Sequence, residues 1–488
     1  MGKHKKAILG LTLLSLTFSF IFSQTTQPII FPDINPLFLV ETKSQNSSLS
    51  SKETIFTALK FSLCPENSSE WQQSMKCFEK LHDYVTSNEF MTLPEIKRAE
   101  AILDLMYNEV LTNYRENETT IQAMFTKGEY NCVSSSILYM ALVKAAEIPV
   151  TGQKTPDHAF CQIHVDGKKI DVETTNPYGF NPGTKKALSS SGNGTNYAVV
   201  PKRFYSGRQS VSDKVFVSLV GGNLCSLLMD KKDYSTAVPL AIARYVFVEG
   251  EESSAAAFVR QEGDIVCTNY VNDLQKQGQD AQALQWADMV VSKWGTTKLW
   301  QQNIDATVHN AVVRCLNKKD IQTAQNFFSA WEGRLSANTD ETIRTNIFTS
   351  LVETETSGLT ADMALKKLAQ LDSHPYAKLP KATNFLKSTK EYFWQEKVMA
   401  VTKDGHYLQG ASIAQQGIDS IGTSRNLTNL KKQCLNNYAV TIHNQFASLA
   451  NDGQYQQAYE ILEQGLKELP GNKTLKADMA RLKKIMEQ

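Results

Sequence analysis

Hydrophobic positions along this chain recur at helical spacing almost throughout, with one interruption. Helical period runs over Glu53–Leu63, Gln72–Thr86 and Leu93–Tyr114, the last with Pro94 near its start, where a missing N–H is tolerated. A further apolar run lies in Gly128–Leu142, GEYNCVSSSILYMAL, and ends before Pro149. The period then changes from helical to alternating. In HAFCQIHV, Ala159, Cys161, Ile163 and Val165 point one way, and His158, Phe160, Gln162 and His164 the other. Asp166–Gly167 is a strong two-residue hairpin turn. In KKIDVETT, Ile170, Val172 and Thr174 share a face, while Asp171, Glu173 and Thr175 share the opposite one. A glycine- and serine-rich loop at Ser189–Thr195 and a strand candidate at Tyr197–Val200 follow. Residues 53–212 therefore read as helices followed by a small antiparallel sheet, an α+β domain.

From about Asp213 the helical period returns and repeats. Six segments look alike: KKDYSTA, QGQDAQA, KKDIQTA, GLTADMA, DGHYLQGA and DGQYQQA. Their alanines are Ala237, Ala283, Ala324, Ala364, Ala411 and Ala458, spaced by 46, 41, 40, 47 and 47 residues. Each segment is expected to turn the chain between two antiparallel helices, with a small residue where the helices touch. That period predicts an all-α helical-hairpin solenoid over 213–488. The last copy, NDGQYQQAYEILEQGLKELPGNKTL, resembles a tetratricopeptide repeat. The other copies are longer than that family's unit, so the array is tetratricopeptide-like and not regular.

The ends and the composition narrow the setting. Lys3, His4, Lys5 and Lys6 precede an apolar run from Ala7 to Phe22, and Ser23 leads into polar sequence. Residues 1–23 read as a secretory signal, or as an uncleaved N-terminal anchor, and residues 24–52 as a tether. The expected location is extracytoplasmic, with any membrane attachment made only through the N-terminal segment. A net charge of +1 with 21% charged residues gives no basic surface for nucleic acid. Eight cysteines in 488 residues are too sparse for a disulfide scaffold. Cys64 and Cys77 flank one short segment and could pair outside the cytoplasm, while Cys225, Cys267, Cys315 and Cys434 read as small core residues. No Cys/His spacing suggests a metal, and no cofactor is implied.

Candidate chemistry centres on Cys132. It opens the apolar helix, where unpaired backbone N–H groups favour a thiolate and can bind an oxyanion. Small Ser134, Ser135 and Ser136 behind it leave room for a substrate backbone. His158 stands on the polar strand face, whereas Cys161 points to the apolar side and is a poor nucleophile. His164 shares the face of His158 but lies about 20 Å along the strand. If Asp166–Gly167 makes the turn, Val165 pairs with Lys168 and His158 with Thr175. Glu173 then sits diagonally across from His158, within reach of a long side chain. Asp171 would pair with Gln162, roughly 13 Å away, and is the second choice of acid.

Together these residues resemble the transglutaminase-like superfamily, whose thiol site is papain-like. The likeness rests on GEYNCVSSSILYMALVKAAEIPV, on HAFCQIHVDGKK with Phe160 in place of a tryptophan, and on VETTNP with Glu173 in place of an aspartate. It covers about Gln122 to Asn181. The resemblance implies that Cys132 attacks a carbonyl carbon, His158 carries the proton and Glu173 orients the imidazole. Gln122 and Tyr130 are the candidates for an upstream oxyanion-hole side chain. The expected function is a thiol protease, amidase or acyl transferase on a protein or peptide, with a protein partner on the repeats. The alternative is an inactive scaffold whose repeats bind proteins.

Overall fold

The computed structural model describes residues 48–182, 200, 205–251 and 253–487. The signal or anchor at 1–23, most of the tether, the glycine- and serine-rich loop and most of the strand candidate at Tyr197–Val200 lie outside the described residues. The chain divides into two compact units, one running to Thr307 and the other from Val308.

The first unit is built around one helix. Four helices lead to it: α1 (Ser51–Phe61), α2 (Ser69–Val85), α3 (Asn88–Met91) and α4 (Glu95–Glu109). A short strand β1 (Asn113–Tyr114), helix α5 (Ile121–Lys127) and strand β2 (Glu129–Tyr130) follow, and β1 and β2 pair in parallel. Helix α6 (Cys132–Ala145) then runs through the interior, with every residue from Val133 to Val143 buried. A helix apolar on all sides has no solvent face to present and must be surrounded. It is covered by α1, α2 and α4 and by the sheet. Polar groups pin it: Ser51 Oγ donates to the Ala141 carbonyl at 2.7 Å, and Tyr139 OH to the Ala99 carbonyl at 3.0 Å.

The sheet has four antiparallel strands, β3 (Val150–Lys154), β4 (Ala159–Val165), β5 (Lys168–Val172) and β6 (Gln209–Val211), in the order β5-β4-β3-β6. Asp166 and Gly167 take φ of 51° and 71°, as a two-residue hairpin with both central residues left-handed requires. The β4–β5 register follows from that turn: Val165 opposes Lys168, and Gln162 opposes Asp171. Helices α7 (Asp213–Asp230), α8 (Tyr234–Phe247), α9 (Ser254–Lys276) and α10 (Asp280–Trp294) belong to the same unit. Helix α7 packs on β3, α1 and α6. Gly152 on β3 makes that approach possible, because a Cβ there would lie 2.4 Å from the Phe216 ring. An ion pair between Lys144 of α6 and Asp213 ties the start of α7 to the central helix.

The expected fold class, an α+β transglutaminase-like domain joined to a solenoid, does not hold. Among the described residues 72% are helical, in nineteen helices with only small sheets. The alternation in HAFCQIHV and KKIDV is real and forms a hairpin, but the strands are two to seven residues long. Helices surround them on both sides in sequence. Those up to Thr307, assigned to the repeats by their period, share a unit with the sheet because α7 buries Val215 through Gly221.

Helix α11 (Lys298–Asn317) carries the chain into the second unit. There α12 (Ile321–Trp331), α13 (Ala337–Thr356), α14 (Ala361–Leu371), a 3-10 turn at Pro375–Lys378, α15 (Pro380–Thr402), α16 (Tyr407–Ile421), α17 (Arg425–Asn451), α18 (Tyr455–Glu468) and α19 (Lys473–Met486) pack mainly on their sequence neighbours. All six repeat alanines are buried, each in the first turn or so of its helix. Five or six residues before each stands a left-handed residue, Lys232, Gly278, Lys319, Gly358, Gly405 or Gly453. This shared turn is the physical content of the repeat.

Candidate active site

Strand β4 and the turn after β5 bring an imidazole and a carboxylate together. His158 Nε2 and Glu173 Oε2 lie 2.7 Å apart, both buried. The observed register opposes Cys161 to Val172, so Glu173 emerges one step past the paired strand, diagonal to His158. Glu173 is then fixed from both sides. Its Oε1 accepts from Thr175 N–H at 3.1 Å and Thr175 Oγ1 at 2.7 Å. Its Oε2 also accepts from Tyr205 OH at 2.7 Å. Gly179 closes the turn: a Cβ there would lie 1.9 Å from the Glu173 carbonyl oxygen.

Cys132 meets this pair from the start of α6. It is only partly buried and lines the same cleft as the imidazole, near enough that its sulfur favours the protonated ring. Because Glu173 holds Nε2, Nδ1 is the nitrogen available to the sulfur. Burial by itself would lower the pKa of His158, but the neighbouring Cys132 sulfur and the bonded Glu173 carboxylate outweigh it and push it up to about 10. Burial would raise the Glu173 carboxyl, yet its bonds to His158, Thr175 and Tyr205 hold it below the ordinary value. Aromatic rings frame the imidazole, with Phe160 stacked at 6.2 Å and Tyr205 edge-on at 6.0 Å.

The other candidates fall elsewhere. Asp171 bonds Gln162 at 2.7 Å and pairs with Arg208 at 2.6 Å, so it is spent on the hairpin and does not reach His158. Gln122 hydrogen-bonds the Ser62 carbonyl, and the Tyr130 hydroxyl bonds Tyr107; neither lines the cleft at Cys132. Cys161 is sealed in the core against the Ser136 carbonyl, and burial pushes its thiol up. His164 bonds Thr151 across the sheet. Ser134, Ser135 and Ser136 are fully buried and leave no room for substrate: Ser135 and Ser136 both bond Thr174 Oγ1, at 2.9 and 2.7 Å. Cys64 and Cys77 are free thiols, not a disulfide.

Sequence reasoning missed four things. Strands β3, of five residues, and β6, of three, are too short to show a clear alternation. Tyr205 gives no local sign of its role. The N-cap residue Asn131 takes the amides of Val133 and Ser134 at 3.0 Å each, so the amide of Cys132 itself is the one left in the first turn for an oxyanion.

Cys132 and His158 open on a cleft of about 430 Å³. Tyr114 and Asn131 flank the thiol there, while Lys154, Arg244, Phe258 and Glu262 also line it. Among the described residues no group of three or more His, Cys, Asp or Glu is arranged to hold a metal ion. No described helix is long and apolar enough to cross a membrane.

No family model and no curated protein matches the chain. Solved structures that resemble it include one titled "Crystal structure of menin reveals the binding site for Mixed Lineage Leukemia (MLL) protein". The match spans 83% of this chain and 98% of that one at 14% identity, with a TM-score of 0.29, too low to carry an argument.

Proposed function

We propose that this protein is a thiol enzyme of acyl transfer, acting on amide bonds of a protein or peptide. The observation that carries the reading is a buried 2.7 Å His158–Glu173 pair that shares one open cleft with a partly exposed thiol. Nucleophilic catalysis needs that chain: a nucleophile, a base within hydrogen-bond reach and a third group orienting the base. The likeness of the Cys132, His158 and Glu173 motifs to the transglutaminase-like superfamily supports the same chemistry.

In this mechanism His158 takes the Cys132 proton and the sulfur adds to the substrate carbonyl carbon. The oxyanion receives the Cys132 N–H. Collapse of the tetrahedral adduct breaks the C–N bond, and the imidazolium gives its proton to the departing amine. The thioester then passes to water or to a second amine, restoring the thiol. Glu173 holds Nε2–H throughout and keeps Nδ1 toward the sulfur.

Alkylation by iodoacetamide at pH 6, read by peptide mass spectrometry, tests the thiol. Cys132 should react at least about tenfold faster in the folded chain than in urea, and His158→Asn should abolish the difference. Equal rates in folded and unfolded chains would overturn the proposal and leave a protein-binding scaffold.

A further inference from the structure

The cleft beside the thiol has a charged far wall that the triad does not use. Lys154 ends β3 and opposes Ala159, the residue next to His158. Its ammonium lies 3.8 Å from the centre of the Phe258 ring and 3.4 Å from the Thr155 carbonyl. No carboxylate among the described residues lies within ion-pairing distance. Burial lowers its pKa, and the charges of Glu262 and Asp157 only partly compensate. A half-buried cation held by a ring face and one long carbonyl contact lacks the counter-charge that burial normally demands.

Arg244 stands on the same wall and is almost wholly buried. Its Nε donates to the Ser218 carbonyl at 2.9 Å and its Nη2 to Glu262 at 2.6 Å. Gly221 and Gly222 of α7 make space for it: a Cβ on Gly222 would lie 2.7 Å from Nη2. The Glu262 charge is thereby committed to Arg244, and the wall keeps the excess positive charge of Lys154. Asp157 and Glu116 also border the cleft, but both are exposed to water, where their fields are screened.

We propose that this wall binds a carboxylate of the substrate, so that the thiol acts on acyl groups of peptides bearing a free carboxylate near the scissile bond. This rests on the thiol reading above. The carboxylate would give Lys154 its missing partner in a site with little water, where a charge-assisted hydrogen bond is strongest. A cleft of about 430 Å³ lies within the usual range for small-molecule sites.

The test compares two alkylating probes, N-iodoacetylglycylglycine and its C-terminal amide, at Cys132 of the full chain. Sulfur attacks the iodomethyl carbon and iodide leaves in both, so they differ only in the distal carboxylate. The acid should react about ten- to hundredfold faster than the amide. Lys154→Met should bring the ratio to within about twofold of one, and Lys154→Arg should restore most of it. A ratio near one in the wild type, or an unaltered ratio in Lys154→Met, overturns the carboxylate site. Failure of the thiol reading shows separately, as iodoacetamide reacting no faster with the folded chain than with the unfolded one.

Discussion

Glu173→Gln keeps the side chain's shape and removes its charge. The carboxylate accepts from four donors: His158, Tyr205 and both the N–H and hydroxyl of Thr175. Glutamine brings one carbonyl oxygen and one NH2, which cannot accept. Whichever way it turns, its NH2 faces two donors in a site with almost no exposure. Removing one member of a buried ion pair costs about 3–5 kcal/mol of stability. The effect on the thiol is separate. A charge-assisted hydrogen bond to the imidazolium is worth about 1.5–3 kcal/mol, and a pH unit is worth 1.36 kcal/mol. The alkylation profile of Cys132 should therefore move up by roughly one to two pH units, with the rate at pH 6 falling about ten- to hundredfold. Iodoacetamide trapping across pH 5–9 measures this, with circular dichroism showing that the variant is folded at the assay temperature. Tyr205→Phe separates charge from packing: it removes one donor to Glu173 but keeps the carboxylate's charge on the imidazole, so the profile should not move up. A folded Glu173→Gln variant alkylating at pH 6 within twofold of wild type would refute the coupling of carboxylate, imidazole and sulfur.

Three further outcomes follow from the packing and the charges. His158, raised to about 10, contributes stability that is complete below the free imidazole value of 6.5 and is lost as pH climbs through about 10. Glu173, depressed, contributes above the free carboxyl value of 4.5 and loses its contribution as pH falls. The melting-temperature gap between wild type and His158→Gln should thus be widest from about pH 4.5 to 6.5 and shrink toward pH 10; a constant gap contradicts it. Lys232→Gly and Lys319→Gly, both at φ of 59°, should each raise urea stability by about 0.5–1 kcal/mol, because glycine, already present at the equivalent Gly278, Gly358, Gly405 and Gly453, carries no left-handed penalty; loss of stability in both contradicts it. Gly465→Leu should cost about 1–3 kcal/mol, since even a Cβ would lie 2.7 Å from Ile442 Cγ2, whereas Gly471→Ala, in open space, should be nearly neutral; equal effects would show that α17 and α18 are not closely packed.

What the sequence made legible was local. Asp166–Gly167 admits essentially one hairpin register, and register alone placed Glu173 rather than Asp171 near His158. The repeat turns were visible because a left-handed residue, a helix start and a small contact residue recur in fixed order. What stayed hidden was set by contacts across long stretches of chain. Tyr205 meets Glu173 from 32 residues away, and Lys154 meets Phe258 from more than a hundred. The fold class failed for a related reason: alternation identifies a strand but says nothing of how many helices enclose it. The apolar residues of α7 carried the missing information. A helix starting DKVFVSLVGG has no polar face along its first half, so it had to be enclosed, and the surface available was β3 at Gly152. Seating α7 there also sets Gly221 and Gly222 beside Arg244 and forms the wall that faces the thiol. The same packing that defeats an α+β reading of residues 53–212 therefore builds the cleft in which Cys132 would meet its substrate.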